Sequence, residues 1–199
     1  MLTVYGRPNS SNSAKVFWLL DELGLQYDLV LTGTGFGPTD TADYRAMNPF
    51  GKVPVVRDGD VVVWESNAIL RYLASRHGPT PLWPDDLGQR AQIDRWMDWS
   101  SISLTPPLTR LRKARASGQA DDKDLPSVLV AIASLESWLG AHAYLAGDSL
   151  SLADIAAAAS VYRWFGLPEA NGAYPNLRAY TERLSGNEGY RRHIRDRLS

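Results

Sequence analysis

The stretch Asn48-Pro49-Phe50-Gly51-Lys52-Val53-Pro54, followed by a β-branched run and then Glu65-Ser66, combines two features that suit ligand binding. Pro54 lacks a backbone N–H and cannot continue a central ladder, so the peptide before it faces outward at an edge or a site. A helical pattern opens at Glu65-Ser66, where the first N–H groups lack intrahelical partners and the helix dipole is positive. Free backbone groups beside a helix N-terminus suit an extended ligand carrying a carboxylate. A second polar cluster, Ser10-Ser11-Asn12-Ser13, stands where the first helical pattern begins. Its side chains either cap that helix or donate hydrogen bonds to a ligand.

Other chemistries are poorly supported. The 199 residues include no cysteine, which excludes disulfides, thiolate zinc sites and a cysteine nucleophile. His77, His142 and His193 are far apart and have no ligand spacing, so no metal site is expected. Thr32 to Thr39 is glycine-rich, yet it lacks the Gly-Lys-Ser/Thr ending of a phosphate loop. Ser151 and Asp154 have no accompanying histidine and read as a capping box, with Leu150 and Ile155 as its hydrophobic staple. A formal net charge of -1 gives no strong attraction to nucleic acid or an anionic membrane. Neither a membrane-spanning apolar run nor a secretory leader is visible, so a soluble, cytoplasmic protein is expected.

The elements that must position these residues follow from hydrophobic period. Leu2 to Tyr5 reads as a strand, Asn12 to Leu23 as a helix ended by Gly24, and Gln26 to Leu31 as a second strand. A short helix from Asp40 to Met47 leads to the Asn48 turn. Val53 to Arg57 and Asp60 to Trp64 then form a hairpin about Asp58-Gly59, and a helix from Ser66 ends near His77. The order is β-α-β-α-β-β-α. Gly78 to Pro84 is proline-rich and marks a boundary. Beyond it the pattern is helical: Gln89 to Ala116, bent at Pro106-Pro107; a polar loop to Asp124; Leu125 to Leu139; an apolar helix from Ile155 to Phe165; and another from Pro175. The basic tail, Arg191, Arg192, Arg195 and Arg197, reads as a solvated face.

Asn48-Pro49-Phe50-Gly51-Lys52-Val53-Pro54 followed by Glu65-Ser66-Asn67-Ala68-Ile69, the first helix and the Ser151–Asp154 box together resemble the cytosolic glutathione transferases. The similarity is to serine-type, theta-like bacterial members. The resemblance implies an α/β thioredoxin-like domain at 1–78, a linker at 79–87 and an all-α bundle at 88–199. It implies conjugation of the thiolate of reduced glutathione, a co-substrate with no permanently bound cofactor, to small apolar electrophiles. It also implies a homodimer, with Phe50 as a candidate anchor.

By the same resemblance Ser66 meets the γ-glutamyl carboxylate and Glu65 faces the ammonium. Val53 exchanges backbone hydrogen bonds with the cysteinyl part, the Val53–Pro54 peptide is cis, and Lys52 meets the glycyl carboxylate. In serine-type members the active hydroxyl stands four residues before a basic residue. Lys15 thereby selects Ser11, with Ser10, Asn12 and Tyr5 as alternatives. The electrophile site is expected between the domains on the long helix, at Trp96, Trp99, Ser103 and Arg110, with Tyr162 or Trp164 contributing. Two other readings stay open: a non-catalytic glutathione-binding or protein-interaction member, and a glutathione-dependent peroxidase, isomerase or dehalogenase.

Overall fold

Strand β1, Leu2–Gly6, is the second strand of a four-stranded sheet. The chain crosses through α1, Ser11–Glu22, to β2, Asp28–Leu31, which pairs parallel to β1 with Thr3 opposite Asp28. After α2, Ala42–Met47, a hairpin of β3, Val55–Asp58, and β4, Val61–Trp64, completes the sheet in the order β2-β1-β3-β4. Strand β3 is antiparallel to both neighbours, with Tyr5 opposite Val55 and Val55 opposite Trp64. Gly59 takes φ 60° in the hairpin turn, a conformation that favours glycine. Helix α3, Ser66–His77, follows and packs beside α1. The computed structural model describes residues 1–78, 80–118, 121–172 and 174–198. Pro79 of the expected linker, Gln119 and Ala120 of the expected polar loop, and the terminal Ser199 lie outside them.

The second half is helical: α4, Leu87–Trp99; α5, Thr105–Ala116; α6, Leu125–Leu139; α7, Leu152–Trp164; α8, Pro175–Ser185; and the short α9, Glu188–Tyr190. The long helix expected from Gln89 to Ala116 is divided, and the division precedes the prolines. Ser100–Leu104 forms a π-turn, in which the Thr105 N–H donates to the Ser100 carbonyl five residues back. Pro106 and Pro107 then occupy the first turn of α5, where a missing N–H costs no intrahelical bond. The wider turn carries an extra residue and so rotates every later side chain about the axis.

Helix α7 is the centre of the molecule. Its run from Leu152 to Val161 is buried at every position, and it packs on α1, α4 and α5. Alanines at 153 and 156–159 let those neighbours come close. One continuous apolar core joins the sheet half to the helical half, from Val4 and Trp18 to Trp164 and Ile194. The Asp154 carboxylate accepts from the Ser151 N–H (2.8 Å) and hydroxyl (2.9 Å), as the capping reading requires. It also accepts from the Leu145 N–H (2.9 Å) and the Tyr180 hydroxyl (3.0 Å), so it ties α7 to the preceding turn and to α8.

The basic tail is not simply a solvated face. Arg192 pairs with Asp21 of α1 at 2.9 Å, beside His193 at 2.8 Å, and Arg191 donates to the carbonyls of Ser185 and Gly186. Gly189 lies so close to Trp18 that a Cβ would stand 2.3 Å from the indole Cδ1.

Candidate functional site

A cleft of about 650 Å³ opens between the sheet half and helices α5 and α7. Its sheet-side wall is the start of α1. Ser10 is the N-cap: its side chain accepts from the Ser13 N–H at 3.3 Å, and Ser10 is itself buried. Capping fixes the direction of the first turn, and Ser11 and Asn12, the next two residues, line the cleft. The Ser11 Oγ accepts a hydrogen bond from the Arg163 guanidinium of α7. An oxygen that accepts in this way keeps its single proton for donation elsewhere. Tyr5 does not line the cleft; its ring stands edge-on to Tyr44 at 6.2 Å.

Lys52 and Val53 form the adjoining wall. Their turn is pinned by Asn48, whose amide donates to the Lys52 carbonyl at 2.9 Å while its oxygen accepts from the Phe50 N–H at 3.1 Å. The Tyr44 hydroxyl donates to the same Lys52 carbonyl at 2.8 Å, and burial pushes that phenol up to about 12. Gly51, at φ 58°, makes the turn possible. The Val53–Pro54 peptide is cis, and β3 begins immediately after it, with Pro54 buried.

Glu65 and Ser66 stand beside this cleft and do not line it. The Ser66 hydroxyl, at the first position of α3, donates to the Asn12 amide oxygen at 3.4 Å, which joins the two helix N-termini. Glu65 takes φ 70°, an uncommon conformation for a residue with a side chain, and is solvent-exposed. Lys15 is only 2% exposed; burial lowers its ammonium to about 8, against the opposing pull of Glu65.

The structure does not bring Trp99, Ser103 and Arg110 to the cleft. They line a separate groove with residues of α6, and Arg110 is paired with Asp124 through two bonds of 2.9 and 2.7 Å. Trp96 packs between Trp99 and Trp138, and Trp164 is fully buried. The reason is helical phase. Arg110 and Arg112 are two positions apart, about 200° around the helix, so only one of them faces the cleft. The π-turn shifts the face that a continuous helix would have presented. Thr105, Leu108, Thr109 and Arg112 take the wall instead, with Thr105 Oγ1 2.8 Å from Ser160 Oγ of α7.

Sequence reasoning missed Arg7, Arg112 and Arg163. Arg7 follows β1 and donates to Asn9 Oδ1 at 2.7 Å. It passes over Gly33, where a Cβ would lie 3.2 Å from its Cδ and Nε. Desolvation, with the charges of Arg112 and Arg7 adding to it, lowers the Arg163 guanidinium to about 10. Among the described residues lining this cleft there is no aspartate or glutamate. The arrangement can hold an extended anion along Lys52 and Val53 and present a hydroxyl to a nucleophile beside Ser11.

Residues 1–75 match the family described as "Glutathione S-transferase, N-terminal domain", and residues 99–188 match "Glutathione S-transferase, C-terminal domain". The chain is 35% identical over 201 aligned residues to glutathione S-transferase GstB of Escherichia coli (strain K12), covering 96% of this chain and 97% of that one. It is 31% identical to a probable glutathione S-transferase of Oryza sativa subsp. japonica, covering 90% and 89%. A crystal structure of a theta class glutathione S-transferase from Xanthomonas axonopodis pv. citri, with glutathione bound, superposes with a TM-score of 0.88. That structure shares 35% identity, and 97% of this chain and 96% of that chain are covered. The sheet order, the helical half and the sequence agree throughout, and the chain belongs to the glutathione S-transferase family.

Proposed function

We propose that this protein conjugates reduced glutathione to small electrophiles, with the tripeptide lying along Lys52 and Val53 and its sulfur against the Ser11 hydroxyl. The single observation that carries the reading is that Ser11, Lys52 and Val53, far apart in sequence, line one cleft, with the Ser11 oxygen already accepting from Arg163. A thiol with an ordinary pKa of about 8.5 is mostly protonated near neutrality. Burial alone would raise that value further. A hydroxyl donor at a helix N-terminus opposes burial, because both interact with the thiolate more strongly than with the thiol. The Arg163 charge nearby acts in the same sense.

In this reading Ser66 receives the γ-glutamyl carboxylate beside Asn12, Glu65 faces the ammonium, Lys52 meets the glycyl carboxylate and Val53 offers its backbone to the cysteinyl part. Ser10 serves as the cap of α1. The glutathione-binding domain ends near residue 78, and the helical domain begins near residue 88. Among the described residues no helix is long and apolar enough to cross a membrane. A cytoplasmic homodimer with a detoxifying role is the matching setting. Phe50 supports the dimer: it is 62% exposed and rests its ring on Trp64 at 5.2 Å.

The test is conjugation of glutathione to a chlorinated nitroarene, followed by product absorbance, with hydroperoxides as a second panel. Turnover on the arene that falls at least about tenfold in Ser11→Ala is expected. Glutathione binding without conjugation of any electrophile would favour the non-catalytic reading. Turnover confined to hydroperoxides would favour a peroxidase.

A further inference from the structure

The cleft is lined by three arginines besides Lys52, a surface that suits a charged electrophile better than an apolar one. Arg112 of α5 and Arg163 of α7 come from the helical half, and Arg7 comes from the loop after β1. The charges of Arg112 and Arg7 each add to the desolvation that lowers the Arg163 guanidinium, so both stand close enough to repel it. The Nε atoms of Arg7 and Arg163 are buried and have no hydrogen-bond partner among the described residues. Among the described residues that line the cleft, none is an aspartate or a glutamate. Three guanidiniums lining one cleft, two of them with a buried and unpartnered Nε–H, suit a planar anion that accepts two parallel hydrogen bonds.

Glutathione does not supply that anion. In the binding mode proposed above, on which this inference rests, its two carboxylates lie at Ser66 and Lys52. We propose that the preferred electrophile itself carries a carboxylate, held by Arg7, Arg112 and Arg163, so that small electrophilic carboxylates react faster than uncharged electrophiles of the same size. Arg163 bonds the oxygen that faces the sulfur, so an anion on its remaining edge lies next to the reacting atoms. The carboxylate is therefore attached to the carbon under attack or is one carbon removed. For a carboxylate with a leaving halide, the glutathione sulfur forms the new C–S bond. The carbon–halogen bond breaks, and the halide departs with its electron pair. The thiol proton has already left to solvent.

Iodoacetate and iodoacetamide form a suitable pair, nearly equal in size and differing in charge. A chain without cysteine offers them no competing thiol. The measurement is kcat/KM for each with glutathione, divided by the uncatalysed rate. The acceleration should be about tenfold or more greater for iodoacetate, and Arg112→Gln and Arg7→Gln should each bring the two accelerations close together. Equal acceleration in the parent protein, or a preference for the amide, would overturn the proposal while leaving glutathione transfer intact.

A second measurement does not depend on turnover. Calorimetry should show S-carboxymethylglutathione binding about tenfold or more tightly than S-carbamoylmethylglutathione, with the preference lost in either arginine variant. Equal binding of the two would overturn the proposal even for a protein without activity. So would variants that weaken both ligands alike, because the arginines would then be holding glutathione itself. Far-ultraviolet circular dichroism confirms that each variant is folded, and either variant alone suffices for the comparison.

Discussion

Lys15 shows how a residue near the site stores electrostatic cost. Its ammonium is 2% exposed and is lowered to about 8, first by burial, with Glu65 pulling the other way. A base whose folded pKa lies below its unfolded value binds less proton when folded, so its contribution to stability rises with pH. The window runs from about 8 to the unfolded value of 10.5, with a slope of at most roughly 1.4 kcal/mol per pH unit. Lys15→Met is therefore expected to melt higher relative to the parent at pH 7 than at pH 10. Thermal melts of both proteins across that range measure the difference, and a constant offset would show that Lys15 does not titrate in the window. The hydroxyl cluster at 10–13 and Lys52 were legible in the sequence because each belongs to a local turn or cap. Arg7, Arg112 and Arg163 were not, because three distant segments supply them and only the packing of α7 on α1 and of α5 on α7 brings them together.

At the scale of elements, the Ser151–Asp154 box was legible from spacing alone, and the structure gives it a larger task. Loss of an N-cap costs about 0.5–2 kcal/mol. Asp154 accepts four hydrogen bonds, and removing it strands the Leu145 N–H and the Tyr180 hydroxyl in the core. Burial pushes its carboxyl up while those donors pull it down. Asp154→Ala should therefore cost about 3 kcal/mol or more, with glutathione affinity little changed. Chemical denaturation gives the stability and calorimetry the affinity. A loss below about 1 kcal/mol would reduce Asp154 to an ordinary surface cap. The division between α4 and α5 was misplaced because proline is a strong local signal, whereas a π-turn has no residue signature comparable to it. The Ser100–Leu104 turn decides which arginine of α5 faces the cleft, so this element boundary controls the chemistry of the wall.

For the whole molecule, the two-part architecture and the β-α-β-α-β-β-α order were readable because strand and helix periods differ and a proline-rich stretch separates them. The docking of the tail was not readable. Four arginines near a C-terminus look solvated, and only the closed structure sets Arg192 and His193 against Asp21. Gly189 against Trp18 fixes that closure, and Gly189→Ala should lower the melting temperature because the indole cannot retreat from a fully packed core. An unchanged melt would mean that the tail shifts freely. Assembly is tested at the same scale. Sedimentation at micromolar concentration should give a dimer, weakened in Phe50→Ala. A monomer would overturn the dimer, and a dimer indifferent to the substitution would overturn only the anchor.

If the Ser11 hydroxyl stabilises the thiolate of bound glutathione, its removal raises the pKa of that thiol. Ultraviolet absorbance of the thiolate is followed against pH in the parent protein and in Ser10→Ala, Ser11→Ala and Asn12→Ala. The midpoint is expected about one unit higher in Ser11→Ala alone, equivalent to about 1.4 kcal/mol, with affinity nearly preserved. A midpoint unmoved in Ser11→Ala but raised in Ser10→Ala or Asn12→Ala would contradict this role of Ser11.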